Sequence, residues 1–284
     1  MGKSAALIIL CILITSFVSY GQTSKTDSLL RLLQDEIVDT ARIDILNELG
    51  NELILKSQRE AQDYYNEARQ KSIDVNDTVR IVTSLIGLCD VYSMNGEYKK
   101  ALEYITEAMN YAYNNNDLLA TCHSRLAIEY YNLGKDEESI KHDRLALHYD
   151  LLVKDSFKIA YDLHNIGTYF LGTEHNDSAT CYYKKSNEYI KNIDDELTAY
   201  NNSRIGFAHS HAKEYDTAIN YHLLALKRFE KDSSLYEMAM EETYLANLQS
   251  LKNNSSKTLE HINNAKKYSY DLNNHVLIKT VHHL

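Results

Sequence analysis

The 284-residue chain has few residues in patterns that could do chemistry. It contains no GxxxxGK loop for phosphates, no GxGxxG dinucleotide loop, no HExxH metal motif and no GxSxG nucleophile elbow. The twelve histidines are scattered, and their closest pairs are His209/His211 and His282/His283. His211 would lie nearly opposite His209 on a helix, so these two could hardly bind one metal ion together. We therefore expect no enzymatic activity, no metal site and no cofactor.

The first 21 residues have the composition of a secretory signal peptide. Lys3 precedes an apolar run over residues 5–14, and small or polar residues follow up to Gly21. The run is shorter than the about 20 residues that a membrane span needs, although an uncleaved membrane anchor is the alternative. We expect cleavage at Gly21–Gln22, export to the periplasm or cell envelope, and no transmembrane span in the mature segment.

The cysteines give little indication of a disulfide framework. Removal of Cys11 with the signal peptide leaves Cys89, Cys122 and Cys181, an odd number with no CxxC pair. All three fall in helical patterns, where a small apolar thiol packs well. Packing is the preferred interpretation, and a functional thiol is the alternative.

Composition narrows the fold class. The chain has no proline and only nine glycines, whereas average usage would supply about 14 prolines. All-β folds depend on many tight turns in which these two residues are useful, so the sequence predicts a mostly helical protein. The net charge of −10 argues against nucleic acid as a partner, because phosphate binding rests on clustered Lys and Arg.

One sequence pattern recurs at an interval of about 40 residues. A large apolar residue, a small residue and an aromatic residue are followed by a turn and then by a small residue that opens a second helix. These second-helix residues are Ala61, Ala101, Ser139, Ala179, Ala218 and Thr258, at spacings of 40, 38, 40, 39 and 40. The order resembles the tetratricopeptide repeat, in which two antiparallel helices bury a shared apolar face by stacking on neighbouring pairs.

The resemblance implies an all-α, right-handed α-solenoid of about six helix pairs. We expect a lead-in helix within residues 22–40 and a superhelix over 41–284, with a partial seventh repeat from Val276. That repeat stops about half-way, so a longer protein is one interpretation and a naturally short product is the other. The long period is similar to that of the exported N-terminal repeats of bacterial sensor histidine kinases and helix-turn-helix regulators. A membrane-anchored continuation beyond Leu284 would fit that interpretation.

Two Asp-Ser/Thr-Ala sequences stand where second helices begin, at Asp177 and Asp216. Their aspartates are predicted to cap those helices. The same sequences resemble a bacterial envelope O-glycosylation acceptor, which is the alternative.

The resemblance also implies that a protein or peptide binds the concave face, which the first helix of each pair lines. The residues that match this face are Arg125, Tyr131, Tyr161, His164, Asn165, Tyr200, Arg204 and Phe207. Aromatic residues and Arg are enriched at interface hot spots, although packing between repeats is the alternative for each. The predicted function is a non-catalytic interaction scaffold, in a signalling protein or, alternatively, in a freestanding envelope protein of assembly or transport complexes.

Overall fold

The computed structural model describes residues 25–34, 38–191, 196–272, 274, 278, 279 and 281. Within these ranges the chain forms thirteen α-helices and no β-strand, which confirms the predicted all-α helical-repeat class. No helix in the described ranges is long and apolar enough to cross a membrane. The predicted signal peptide and most of the predicted seventh repeat lie outside the described residues.

The chain divides into two compact units, one ending at Ala112 and the other starting at Tyr113. The first contains α1 (Lys25–Gln34), α2 (Asp39–Leu53), α3 (Gln58–Asp74), α4 (Thr78–Met94) and α5 (Tyr98–Ala112). The second contains α6 (Asn116–Asn132), α7 (Asp136–Val153), α8 (Ser156–Gly172), α9 (Asn176–Ile190), α10 (Leu197–His211), α11 (Tyr215–Asp232), α12 (Leu235–Leu251) and α13 (Ser255–Asp271). Helix α1 is the lead-in helix. The pairs begin with α2 at Asp39, two residues before the predicted start at 41.

The small residues near the start of the first five second helices are buried, as the repeat pattern predicts. Within the described residues the exposed fraction is 0% for the four alanines and 7% for Ser139, while Thr258 in the last pair is half-buried. A side chain no larger than a methyl group lets two helices approach closely. Large side chains then fill the space between successive pairs.

Tyr65 shows how a large side chain is accommodated in the first unit. Its ring is 2% exposed and lies between α2 and α4 at two glycines. A Cβ atom would come within 2.5 Å of the ring at Gly50 and within 2.2 Å at Gly87. Since real Cβ atoms do not approach a ring so closely, these positions need glycine while Tyr65 stays in place.

The helix ends explain how the chain manages without proline. Eight helices are followed by a residue with positive φ: Asn76, Gly96, Gly134, Lys154, Glu174, Lys213, Ser233 and Asn253. The next residue donates its backbone N–H to a carbonyl five residues back, as from His175 to Phe170 at 2.9 Å. This left-handed closure satisfies carbonyls that the helix itself leaves unpaired. The helices are therefore terminated by backbone geometry.

Two sequence predictions need correction. Cys89 and Cys122 are buried as expected, and burial raises the pKa of Cys122 to about 12, but Cys181 is exposed. Its position on α9 falls on the outward side of an amphipathic helix. Asp177 and Asp216 are not caps, because His175 and Glu214 occupy the cap positions of α9 and α11. The aspartates lie in the first turns, where the positive end of the helix dipole favours a carboxylate.

Candidate functional site

The predicted binding residues all lie in the second unit, on the first helices α6, α8 and α10. Tyr161 on α8 and Tyr200 on α10 occupy the same position of successive repeats, and both are exposed. Asn165 and Arg204 occupy another shared position one turn later on the same two helices. We call the outward faces of α8 and α10 that carry these four residues the first-helix surface.

Arg204 supplies the positive charge of this surface. Its side chain is exposed and forms no salt bridge with any residue that the structure describes. Tyr200 precedes it by one helical turn and Phe207 follows it by three residues, so all three share a face of α10. Phe207 is half-buried against the rings of His211 and Tyr244, at centroid distances of 4.4 and 6.2 Å. The guanidinium thus stands beside aromatic side chains.

Tyr200 is held between two carboxylates while its ring remains accessible. Its hydroxyl lies 3.2 Å from Glu237 Oε1 and 3.4 Å from Glu196 Oε1, so it can donate to either. Burial and these two negative charges raise the pKa of Tyr200 above its usual range. The side chain therefore stays a neutral phenol at physiological pH. Its ring meets that of Phe229 edge-on at 5.2 Å, which fixes its orientation.

His164 and Asn165 are held by neighbouring repeats. His164 is half-buried, and its Nδ1–H donates to Asn201 Oδ1 at 2.7 Å. Burial, and to a lesser extent the charge of Arg204, lowers the pKa of His164, so the ring is neutral near pH 7. The Asn165 amide is hydrogen-bonded to the carboxyl group of Asp143 on α7. Both side chains contribute to packing between repeats as well as to the edge of the surface.

The two predicted residues on α6 differ in exposure. Tyr131 near the end of the helix is 66% exposed, whereas Arg125 is half-buried and interacts with other groups of the protein. Arg125 holds the same repeat position as Asn165 and Arg204. Exposed aromatic and cationic side chains are nevertheless concentrated on α8 and α10.

Sequence reasoning missed a line of polar contacts between successive first helices. Ser124 donates to Asp162 at 3.3 Å, His164 to Asn201 at 2.7 Å, and Ser203 to Glu241 at 2.5 Å. The acceptors Asp162, Asn201 and Glu241 occupy one position of three repeats and are at most 2% exposed. Alignment of the copies could have revealed this polar column, because ordinary repeat cores are apolar there.

Glu241 also accepts a buried hydrogen bond from a histidine. His222 on α11 donates from Nδ1 to Glu241 Oε2 at 2.7 Å, and the two residues are 1% and 2% exposed. A similar contact joins His261 to Glu242 at 2.6 Å in the last pair. In the described part of the chain no three His, Cys, Asp or Glu side chains are grouped to hold a metal ion.

Comparisons with known proteins place the fold. No family model and no curated protein matches the sequence. The structure is similar to BtubC from P. vanneervenii, with a TM-score of 0.67 and 18% identity over 84% of this chain and 94% of that one. It is also similar to a signal-transduction ATPase with a tetratricopeptide repeat sensor from Pyrococcus horikoshii, with a TM-score of 0.70 and 12% identity over 89% and 41%. A Rap protein complexed with competence and sporulation factor matches with a TM-score of 0.60 and 14% identity over 99% and 91%. The fold is thus that of tetratricopeptide-type helical repeats.

Proposed function

We propose that the chain is a non-catalytic scaffold that binds a peptide or an extended protein segment on the first-helix surface. The observation that carries this proposal is the repetition of exposed Tyr161 and Tyr200 at one position of successive repeats, beside the exposed Arg204. Equivalent positions on stacked helices present side chains at regular intervals, which suits a partner that runs across the helices. A structurally similar Rap protein is complexed with competence and sporulation factor, which supports a binding role for this fold.

The chemistry of the surface favours a partner with an acidic group. An exposed guanidinium forms charge-assisted, bidentate hydrogen bonds with a carboxylate. The adjacent rings of Tyr200 and Phe207 would contact apolar side chains next to that carboxylate. The net charge of −10 does not oppose this, because charges farther from Arg204 than a Debye length of about 8–10 Å are largely screened.

We expect the variant Arg204→Ala to lose peptide binding without losing stability. A displayed library of random peptides selected on the intact chain would supply ligands, and their affinities would be measured by fluorescence anisotropy. Removal of a central cationic contact should weaken a selected acidic peptide at least about 30-fold. Tyr200→Ala should weaken it as well, through loss of aromatic contact.

Arg144→Ala is the matched control, because Arg144 is exposed on α7, a second helix of the same unit. Its affinity should equal that of the unmodified chain. If the selected peptides bind the Arg204 and Tyr200 variants as tightly as the control, the ligand does not bind at the first-helix surface and the proposal is wrong.

We further propose that the scaffold acts outside the cytoplasm, as the sensory or interaction region of a bacterial signalling protein. The signal-peptide pattern of residues 1–21 supports export, and the long-period repeats support the signalling role. The mature chain should begin at Gln22. Mass spectrometry of the N-terminal peptide from a cell-envelope fraction measures this, and an intact Met1 in that fraction would contradict it.

A further inference from the structure

Three carboxyl groups are buried where α7 packs against α8. Asp143 and Asp150 lie on α7 and Asp162 lies on α8, and none is more than 6% exposed. The side chains of Asp150 and Asp162 are close enough to hydrogen-bond to each other. Because two carboxylates are both acceptors, such a hydrogen bond requires a proton on one of them. The arrangement is therefore satisfied only when the pair carries at least one proton.

The remaining contacts of these carboxyl groups do not replace that proton. Asp162 Oδ1 accepts a long 3.3 Å hydrogen bond from Ser124, and Asp143 accepts one from Asn165. Asp162 Oδ2 and Asp150 Oδ1 are buried and accept from no donor group of the described residues. A buried oxygen without a donor is costly when its carboxyl group is ionised and tolerable when the two groups share a proton.

The charges that surround the pair also favour the neutral form. Burial is the main cause that raises the pKa of Asp143, to about 7, and of Asp150 and Asp162. Asp117 of α6 and Asp155 before α8 act on Asp150 in the same direction, and Asp143 acts on Asp162. Lys158 on α8 is the opposing cation, but it is bound to Asp117 at 2.6 Å.

The corresponding positions in the next two repeats are fully satisfied. Asn201 replaces Asp162 and donates to Ser186 Oγ at 2.8 Å and Asn187 Oδ1 at 2.7 Å. Glu241 replaces it in the following repeat and accepts from Ser203 and His222. Among the described residues of these three junctions, two carboxyl groups lie against each other only between α7 and α8.

We propose that the contact between α7 and α8 is a proton-dependent latch, tight when Asp143, Asp150 and Asp162 are neutral and loosened when they ionise. Since the neutral form is favoured in the folded state, the latch stabilises the second unit in mildly acidic solution. Its contribution is full below the ordinary pKa of an aspartate, about 4, and is lost as the pH rises from there to about 8. Asn165, which is hydrogen-bonded to Asp143, would connect this change to the first-helix surface. The latch would respond to pH whether or not that surface binds a peptide.

The variant Asp162→Asn tests the latch, because an amide donates permanently and does not ionise. Thermal unfolding should show equal melting temperatures for the variant and the unmodified chain at pH 4. At pH 8.5 the variant should melt about 3–8 °C higher, because it keeps the hydrogen bond without the buried charge. Glu188→Gln, at an exposed carboxylate in the last turn of α9, should follow the unmodified chain at both pH values. If the melting temperatures of Asp162→Asn and of the unmodified chain differ by the same amount at every pH in this range, the proposal is wrong.

Hydrogen exchange on the unmodified chain tests the latch without any substitution. Exchange rates, corrected for the intrinsic effect of pH, should rise between pH 5.5 and 8.5 in α7 and α8 and stay constant in α12 and α13. Rates that change equally in all four helices would contradict a local latch, even if Asp162→Asn failed to fold.

Discussion

The variant Glu241→Ala should lose about 2–5 kcal/mol of the free energy of unfolding, because it leaves two hydrogen-bond donors inside the protein without their acceptor. Glu241 and His222 are almost completely buried, and Ser203 donates to the same carboxylate. Without Glu241, the His222 imidazole and the Ser203 hydroxyl would both be left without their acceptor. Denaturant unfolding followed by circular dichroism at 222 nm measures the loss.

Two further variants separate the loss of these buried hydrogen bonds from general effects of alanine. Glu260→Ala, at an exposed position on α13, should change stability by less than about 0.5 kcal/mol. The double variant His222→Phe/Glu241→Leu should be more stable than Glu241→Ala, because it removes both polar partners and keeps the volume. If Glu241→Ala is as stable as Glu260→Ala, the buried contact contributes nothing and our description of the column is wrong.

The variant Tyr65→Ala should destabilise the first unit by a similar amount, about 3–5 kcal/mol. The ring fills the space between Gly50 and Gly87, and neither glycine has a side chain that could move into the cavity. Denaturant unfolding of the first unit would then have a lower midpoint. Hydrogen exchange in α2, α3 and α4 measures that midpoint.

Tyr65→Phe is the control that keeps the ring. It removes the hydroxyl and with it the hydrogen bond to Asn51 Oδ1, which is 2.7 Å long and near solvent. Its cost should be about 1 kcal/mol or less. Equal losses for the two variants would mean that the hydroxyl, and not the ring, holds α2 and α4 together.

The helix pairs could be predicted because their cause is periodic. Small residues such as Ala101 and Ala218 recur at the interval of the repeat, and the structure buries each of them. The same periodicity located Cys181 on a helix but did not show which side of α9 faces outward. The spacing of apolar residues shows which side of a helix faces the core only when those residues form a clear stripe. Helix α9 has many polar residues, so its sequence did not show this.

The candidate surface could be predicted in part. Repeat register located Tyr161, Tyr200 and Arg204, and the structure describes all three as exposed. The repeat register could not reveal the contact between Asn165 and Asp143. That contact depends on a carboxyl group at a core position where the other copies have no acidic residue. The corresponding residues in the other copies are Tyr65, Ile105, Tyr183, His222 and Ile262, so an alignment displays the exception without giving its protonation state.

The left-handed helix ends make the repeats exchangeable building blocks. Each closure uses backbone N–H and carbonyl groups, so its hydrogen bonds do not depend on which side chains occupy the turn. Lys154, Glu174 and Ser233 adopt the same conformation as Gly96, which demonstrates this tolerance. A helix pair could thus be duplicated or deleted between two such turns with the hydrogen bonding at its borders preserved. The array could grow by copying whole helix pairs. The main requirement would be that the apolar face of a copied pair packs well against the pairs on either side of it.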